Sequence, residues 1–356
     1  MSVDPVELLR EMVAIESLSG AEAELAEYLV DRMSGLGFDA FVDGAGNAVG
    51  VRRGPEVPGA EPREVVLLGH MDTVPGNVPQ RIAGGRLYGR GAVDAKGPLA
   101  TFVMAVAGVE PAHGVKLVVI GAVEEESATS KGARFVAPLH RPEACIIGEP
   151  SGWDALTIGY KGRMLVDYRR EQPSGHSAGP QGAVAEPAAA FWQAVKANCE
   201  SFNADRPRLF DQLMPSLRSI RTRSDGLTDT VEVTLGFRLP PDFDAAAFKR
   251  AVQIFADDAP LVFYGEEPAW TSPRTTPLAR AFQRAIRFRD GEPRFKHKTG
   301  TSDMNVLGPA WGCPIGAYGP GDSKLDHAPE EHLVLAEYER AIAVLSRVLV
   351  EAGYAT

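Results

Sequence analysis

Apolar positions near the start of the chain recur at helical spacing. Asp4 followed by Pro5 is typical of a helix N-cap and first helical residue, and Leu9 and Met12 continue an apolar face. The same period predicts a second amphipathic helix from about Ser19 to Gly35.

Short apolar runs then alternate with helical periods. The runs are Val65–Leu68, Leu117–Val123 and Cys145–Ile147, with helices predicted near Leu99–Val109 and Lys131–Val136. Alternation of this kind indicates an α/β layer with a buried, largely parallel sheet, because both faces of such a sheet are covered by helices.

A different pattern occupies the middle of the chain, from about Leu156 to Val262. Its elements are a strand-like stretch, an Ala-rich helix and an alternating stretch: Arg163–Tyr168, Glu186–Asn198 and Thr230–Arg238. We interpret this part as a smaller inserted α+β domain. The expected division is therefore residues 1–156 with 263–356 as one domain and 157–262 as the other, with a closing helix from about Pro329 to Val350.

Composition and charge exclude several classes of protein. The 356 residues are 44% apolar, which is typical of a well-cored globular protein. The net charge of −10 disfavours nucleic acid and anionic membranes as partners. No apolar stretch approaches the roughly 20 residues of a membrane span, and the first residues lack the basic flank of a secretory signal. We therefore expect a cytoplasmic protein.

The three cysteines, Cys145, Cys199 and Cys313, are odd in number and far apart in the sequence. This spacing is not that of a disulfide framework or of a CxxC metal or redox motif. Buried thiols are expected at these positions.

Residues that can ligate metals follow each of the three apolar runs. His70 and Asp72 follow the first, Glu124–Glu126 the second and Glu149 the third, while Asp94 lies in a Gly-rich turn ahead of a helix. The carboxyl ends of parallel strands border the ligand crevice of an open α/β sheet, so these side chains should converge. With a spacing of two, Asp72 and His70 share a strand face, and the carboxylate can orient the imidazole.

Convergence of so many carboxylates is costly unless cations are bound, because the crowded acids would raise one another's pKa. A donor set of histidine and carboxylate without cysteine suits zinc in a catalytic site, with cobalt or manganese as substitutes. A carboxylate shared by two ions would place them about 3.5–4 Å apart.

Each of these residues also has an ordinary structural explanation. A lone histidine is more often packed than ligating, a run of glutamates is more often a solvated loop, and Asp94 or Glu149 alone could simply end an element. Their joint arrangement is what indicates a site. The remaining histidines His113, His140, His297 and His332 are assigned surface or packing roles.

Taken in chain order, the motifs around these residues resemble those of the M20 metallopeptidase and deacylase family. The matching motifs are Gly69-His70-Met71-Asp72-Thr73-Val74-Pro75, Gly89-Arg90-Gly91 leading to Asp94-Ala95-Lys96-Gly97, Glu125-Glu126, Gly148-Glu149-Pro150 and Asp326-His327-Ala328-Pro329. The resemblance covers nearly the whole chain. It implies a zinc-hydrolase catalytic domain and an inserted ferredoxin-like lid and dimerisation domain.

The resemblance also implies the ligands of two zinc ions per subunit, with cobalt as a possible substitute and Asp94 as the bridge. One ion is assigned His70, Asp94 and Glu149, and the other Asp94, Glu126 and His327.

By the same resemblance, Glu125 is the general base that takes a proton from the attacking water and passes it to the leaving amine, and Asp72 orients His70. Glu126 stands six residues before Gly132, which favours this alignment of the three glutamates. The pair Glu124 and Glu125 remains the alternative alignment.

In the inserted domain, Ser174-Gly175-His176-Ser177 resembles the motif whose histidine reaches the substrate carbonyl across a dimer interface. Arg238 stands where the family binds a substrate carboxylate, although a strand-end salt bridge would also explain it. The stretch Lys298–Asp303 resembles the loop lining the pocket, where Gly300 and Thr301 would bind substrate. A homodimer is implied.

Within the family, the chain resembles most the members that release lysine or ornithine from an acidic amino-group carrier protein, in lysine and arginine biosynthesis. The scissile amide would join the substrate's α-amino group to the side chain of the carrier's C-terminal glutamate. Five arginines give the inserted domain a basic character that fits such a partner, or else form an ordinary solvated face: Arg206, Arg208, Arg218, Arg221 and Arg223.

Two alternatives stay open at the level of sequence. An acetylornithine deacetylase or succinyl-diaminopimelate desuccinylase would share every metal ligand and differ in the substrate rim. A non-enzymatic metal-binding module is the other class, and it leaves Glu125 beside Glu126 without a purpose.

Overall fold

The computed structural model describes residues 4–176 and 181–356, which fold into two compact units. The first comprises residues 4–159, 272–297 and 302–356, and the second comprises 160–176, 181–271 and 298–301.

The first unit contains most of the helices and strands. Its elements are α1 Pro5–Ala14, α2 Ala23–Gly35, β1 Asp39–Val42, β2 Ala48–Arg53, β3 Arg63–His70, β4 Arg81–Ala83, β5 Arg86–Tyr88, α3 Lys96–Ala107, β6 Val115–Ala122, α4 Lys131–Val136, β7 Ala144–Gly148, β8 Ala155–Tyr160, α7 Pro277–Phe288, β14 Arg294–Lys298, α8 Met304–Trp311, β15 Ile315–Tyr318, β16 His332–Val334 and α9 Leu335–Glu351. The second unit contains β9 Gly162–Pro173, α5 Ala185–Asn203, β10 Met214–Ser224, β11 Thr228–Leu239, α6 Ala245–Phe255, β12 Leu261–Glu267 and β13 Trp270–Thr271.

The main sheet of the first unit has the order β1-β2-β6-β3-β7-β15-β8, and β14 pairs with β8. Strands β6, β3, β7 and β15 run parallel, whereas β1 and β2 at one side and β8 at the other are antiparallel to their neighbours. Strand β3 is buried from Glu64 to His70, as expected for a strand covered on both faces. This confirms the predicted mixed, largely parallel α/β sheet, whose parallel strands all end at the same edge.

The second unit is a four-stranded antiparallel sheet with the order β10-β11-β9-β12. Its chain order of strand, helix, strand, strand, helix, strand is that of ferredoxin-like domains. Helices α5 and α6 cover one face, where Phe191 and Val252 pack with Val231 and Val233 of β11. The opposite face carries the alternate residues of each strand.

Three predicted boundaries are wrong. Helix α2 begins at Ala23 rather than Ser19, because Ser19 donates to Asp72 and Gly20 adopts a φ of 86°. The last helix begins at Leu335 because residues 332–334 pair with β5 instead. The predicted boundary at residue 262 falls inside β12, which pairs with β9 and so stays whole within the second unit.

None of the helices in the described part of the chain has the length and apolar character needed to cross a membrane. In the same part, all three cysteines are free thiols. Cys145 and Cys199 are buried and Cys313 is partly exposed.

Candidate metal centre

The parallel strands bring their terminal residues together at one edge of the main sheet. His70 is the last residue of β3, Glu125 and Glu126 follow β6, and Glu149 follows β7. Ligand atoms of His70, Glu125 and Glu149 lie within 4.8 Å of one another, and so do those of His70, Asp94 and Glu126. The predicted convergence of the three strand ends is therefore present in the fold.

Asp94 lies between the two histidines of the cluster. Its Oδ1 is 3.2 Å from Nε2 of His70, and its Oδ2 is 3.2 Å from Nε2 of His327. The two oxygens of one carboxylate thus face two different imidazoles, which is the geometry required of a bridging ligand.

The three glutamates after β6 point in different directions. Oε1 of Glu126 is 2.9 Å from Nε2 of His327, and Oε2 of Glu125 is 4.0 Å from Nε2 of His70. Glu124 instead accepts a hydrogen bond from Thr129 at 2.7 Å and faces Lys131 at 3.5 Å. The geometry favours Glu125 with Glu126 over the alternative pair.

Asp72 is fully buried beneath the cluster and contacts three parts of it. Nδ1 of His70 is 2.9 Å from the backbone oxygen of Asp72 and 3.4 Å from its Oδ1. The carboxylate also accepts the N–H groups of Glu125 and Glu126, each at 3.0 Å. Asp72 therefore holds the acidic turn with its side chain and contacts the imidazole mainly through its backbone.

Hydrogen bonds to carboxylates raise the pKa of both histidines. Burial by itself lowers the pKa of His70, but its bonds with Asp72 and Asp94 outweigh burial and raise that pKa well above 6.5. Bonds with Asp94 and Glu126 raise the pKa of His327 to about 10.

The buried acids shift in the same direction. Burial raises the pKa of Glu125 well above its ordinary value, against the attraction of His70, and Glu149 and Asp303 add to the rise. Burial likewise raises the pKa of Glu126, although the bond from His327 opposes it. Burial is the main cause of both shifts and neighbouring carboxylates add to them, and bound divalent cations would offset the repulsion.

The donor set fits divalent metal ions. It offers the imidazole of His70 with several grouped carboxylates and, beside them, the imidazole of His327. This mixture, without cysteine among the grouped ligands, suits a hydrolytic rather than a structural zinc site. His70 and Glu149 are buried, whereas His327 is exposed. One side of the cluster is thus open to a substrate.

The predicted substrate-binding residues lie in the second unit. Nη1 of Arg238 donates to Oγ1 of Thr301 at 2.7 Å, and that hydroxyl donates to the backbone oxygen of Lys161 at 3.1 Å. Gly300 precedes Thr301 in the same short segment. The hydroxyl of Thr301 therefore helps to hold the guanidinium of Arg238.

His176 is exposed and ends the first described stretch of the chain. Ser174 of the same motif donates to Asp229 at 2.7 Å. Ser177 lies outside the described residues, so the structure places only part of this motif.

Sequence reasoning missed residues that support the cluster. Glu331 and Arg90 contact the turns that carry Asp94 and His327, and buried Asp303 is one of the charges that raise the pKa of Glu125. Arg90 lies within the matched motif Gly89-Arg90-Gly91 and could have been singled out there. Glu331, in contrast, is one of two successive glutamates, a pattern typical of a solvated turn, and its burial is evident only from the fold.

The fold and the ligand geometry together define a metal-dependent hydrolase of the α/β class with an inserted ferredoxin-like domain. The chain belongs to peptidase family M20/M25/M40, whose model matches residues 66–351. It is accordingly an amide or peptide hydrolase that uses divalent metal.

Two relatives match over nearly their whole length. A [LysW]-lysine hydrolase from Deinococcus radiodurans is 48% identical over 96% of this chain and 95% of its own. A putative [LysW]-lysine/[LysW]-ornithine hydrolase from Thermococcus kodakarensis is 39% identical over 98% of this chain and 92% of its own.

Solved structures share the fold at lower identity. The M20 family metallo-carboxypeptidase Sso-CP2 from Sulfolobus solfataricus has a TM-score of 0.79 at 17% identity, covering 99% of this chain and 100% of its own. Aminopeptidase PepT from Bacillus cereus has a TM-score of 0.76 at 17% identity, with 98% of each chain covered.

Proposed function

We propose that this chain is a two-metal amide hydrolase that releases lysine, ornithine or both from the C-terminal glutamate side chain of an acidic amino-group carrier protein. The proposal rests on the two relatives that match over nearly their whole length, and the cluster of metal ligands supports metal-dependent hydrolysis. The physiological setting is lysine and arginine biosynthesis in the cytoplasm, and the active form is a homodimer.

The proposed ions are zinc, with cobalt as a functional substitute. His70, Asp94 and Glu149 would hold one, and Asp94, Glu126 and His327 the other. When bound, the ions polarise the scissile carbonyl and make water a nucleophile at neutral pH.

Side chains of this chain would transfer the proton of the attacking water. Glu125 lies 4.0 Å from His70, whereas Glu126 lies 2.9 Å from His327. The carboxylate of Glu125 is therefore less engaged by an imidazole and is placed to accept a proton from the attacking water. Burial of Glu125 disfavours its charged form, which suits a carboxylate that takes up a proton from water and passes it to the leaving amine. Asp72 keeps this carboxylate in place by accepting the N–H of Glu125.

Three arginines on the second unit support recognition of an acidic protein. Arg221 lies opposite Glu232 and Arg223 opposite Thr230, on the face of the sheet away from the helices, and the side chain of Arg218 lies over Gly236 of the same face. All three are exposed, and none has a hydrogen-bond or salt-bridge partner among the residues described. A face with three unpaired positive charges on a chain of net charge −10 favours an anionic partner.

The other two arginines of the basic group contribute less. Arg208 pairs with Asp211 at 2.6 Å, and Arg206 donates to the backbone of Phe202 and stacks on its ring. The positive field is therefore concentrated in Arg218, Arg221 and Arg223.

The decisive experiment compares carrier-linked lysine, carrier-linked ornithine and acetylornithine as substrates of the metal-loaded enzyme. We expect the carrier substrates to be preferred, and their kcat/KM to fall as rising salt screens the surface charges. Faster turnover of acetylornithine, with no effect of salt on the ratio, would assign the chain to the small-molecule deacetylases.

Removal of the charges separates docking from chemistry. Replacing Arg218, Arg221 and Arg223 by alanine should lower kcat/KM for the carrier substrates and leave acetylornithine hydrolysis unchanged. The matched control replaces the exposed arginines Arg280, Arg287 and Arg289 of the first unit, which removes the same charge elsewhere. An equal effect of both triple variants would mean that net charge, not the arginine face, matters.

A further inference from the structure

Glu331 is fully buried four residues after His327, and its side chain bonds the turn that presents Asp94. Oε1 accepts the backbone N–H groups of Val93 at 3.0 Å and Asp94 at 3.2 Å. Oε2 accepts Nη1 of Arg90 at 2.8 Å. One carboxylate thereby holds the turn that presents Asp94.

The same residues are tied to the turn that presents His327. Nη1 of Arg90 also reaches the backbone oxygen of Ala328 at 3.4 Å, and its Nε donates to the oxygen of Gly76 at 3.0 Å. The N–H of Gly89 donates to the backbone oxygen of Glu331 at 3.3 Å, just before β16 pairs with β5. The turns of Asp94 and His327, more than 230 residues apart in the chain, are therefore fastened to each other.

His327 needs such support. Its side chain is 49% exposed, and its backbone adopts a left-handed φ of 61°, which a non-glycine residue rarely adopts without support from its surroundings. Sparse packing cannot hold the imidazole 3.2 Å from Asp94, so the anchorage of its turn must do so.

We propose that Glu331, together with Arg90, is a positioning residue that sets the separation of Asp94 and His327 and thereby the affinity for the ion these two ligands share. The inference rests on the proposed two-ion centre. Groups behind a metal ligand commonly change metal affinity by about 10–100-fold when removed, because they fix the orientation of the ligand.

The test is Glu331→Gln in the full-length chain. Glutamine keeps the size of the side chain but replaces one acceptor oxygen with an NH₂ group, so either Arg90 or the N–H groups of Val93 and Asp94 lose their acceptor. Stepwise zinc affinities of the metal-free protein would be measured by competition with a chromophoric chelator, and the cobalt-loaded protein would be examined by visible absorption. We expect the zinc affinity of the site that includes His327 to fall about 10–100-fold, and the affinity of the other site to change less.

The matched control is Glu64→Gln. Glu64 is also a buried carboxylate of the first unit, and its side chain pairs with Lys116 at 2.6 Å and His140 at 2.9 Å rather than with the cluster. It should lower the melting temperature and leave both zinc affinities unchanged. If Glu331→Gln also lowers only the melting temperature, the positioning role is wrong.

A second variant covers the case in which Glu331→Gln does not fold. Arg90→Lys keeps the charge beside Glu331 but gives up the fork that reaches Gly76 and Ala328 together, so it should weaken the same ion. Unchanged zinc affinities in Arg90→Lys would overturn the inference. If the parent protein binds fewer than two ions, the proposed metal centre is wrong. That outcome differs from unchanged affinities in the variants, which contradicts only the positioning role of Glu331.

Discussion

The carboxylate of Asp72 accepts the backbone N–H of Glu125 at 3.0 Å, across 53 residues of chain. A single buried acid thus links the end of β3, which carries His70, to the turn after β6, which carries the proposed base. The position of Glu125 relative to the ligands depends on this bond as much as on its own strand.

Asp72→Asn should therefore lower kcat, because it disturbs the turn that carries Glu125 as well as the contact with His70. In either orientation the amide NH₂ would face a backbone N–H, that of Glu125 at the Oδ1 position or that of Glu126 at the Oδ2 position, and two N–H donors cannot bond each other. We expect a loss of about 10–100-fold, measured as kcat and KM on the preferred substrate.

Ser19→Ala is the matched control, because it removes one donor to Oδ2 of Asp72 and leaves the carboxylate itself. It should retain most of the activity. If kcat falls equally in the two variants, the loss in Asp72→Asn comes from its contact with Ser19 and not from the bonds to the acidic turn.

Glu125→Gln should retain both metals and the fold while losing kcat by about 10²–10⁴-fold, since removal of a general base typically costs that much. Glu126→Gln should bind one ion less, because Glu126 bonds His327 in the cluster. Metal content by elemental analysis and kcat on the carrier substrate check both outcomes.

Glu124→Gln serves as the control within the same run, because Glu124 contacts Thr129 and Lys131 outside the cluster. Its activity should stay near that of the parent. A metal loss in Glu125→Gln, with both ions kept in Glu126→Gln, would shift the proposed alignment by one residue.

Removal of the metals should abolish turnover, and zinc or cobalt should restore it. The chelated protein should also melt at a lower temperature, because the crowded acids then lack cations to offset their repulsion. Calorimetry with and without added zinc checks the stability, and full activity in a preparation shown to be metal-free would contradict the proposed chemistry.

His176 is predicted to act across a homodimer interface. Mixing inactive His176→Ala and Glu125→Gln chains should then restore part of the activity, since one of the two sites in a mixed dimer has both residues intact. Sedimentation would establish the dimer and subunit exchange. No recovery after proven exchange would show that His176 does not act in trans.

The stability of the first unit should fall in acid through Glu64. Burial would raise the pKa of this carboxyl, but hydrogen bonds from His140 and Lys116 outweigh burial and lower it to about 2, from an ordinary 4.5. A depressed pKa contributes stability above the unfolded-state value, and that contribution is lost as pH falls from about 4.5 toward about 2.

Urea unfolding at a series of pH values below about 5 tests this assignment. In Glu64→Gln the free energy of unfolding should depend less steeply on pH than in the parent. Glu110→Gln is the control, because Glu110 pairs with Arg52 while 78% exposed, and such a pair contributes little. If the free energy of unfolding depends on pH equally in the parent and in Glu64→Gln, Glu64 is not a source of the acid sensitivity.

The sequence by itself predicted most of the helices and strands and the strand-end residues of the cluster. Val65–Leu68 and Cys145–Ile147 are apolar throughout, which favours burial in a parallel sheet, and the polar residues after them then lie at the sheet's carboxyl edge. His70 and Glu149 could be placed for that reason, since local periodicity specifies where a strand ends.

Only the tertiary structure decided which neighbours those residues meet. Three consecutive glutamates are equivalent in the sequence. The N–H that Glu126 donates to Asp72, together with its contact with His327, distinguishes it from Glu124. Residues 332–334 could have extended the last helix, but pairing with β5 supplies their backbone hydrogen bonds instead. The burial of Glu331 follows from that pairing. Contacts between segments hundreds of residues apart depend on how the elements pack, so the local pattern of apolar and polar residues does not predict them.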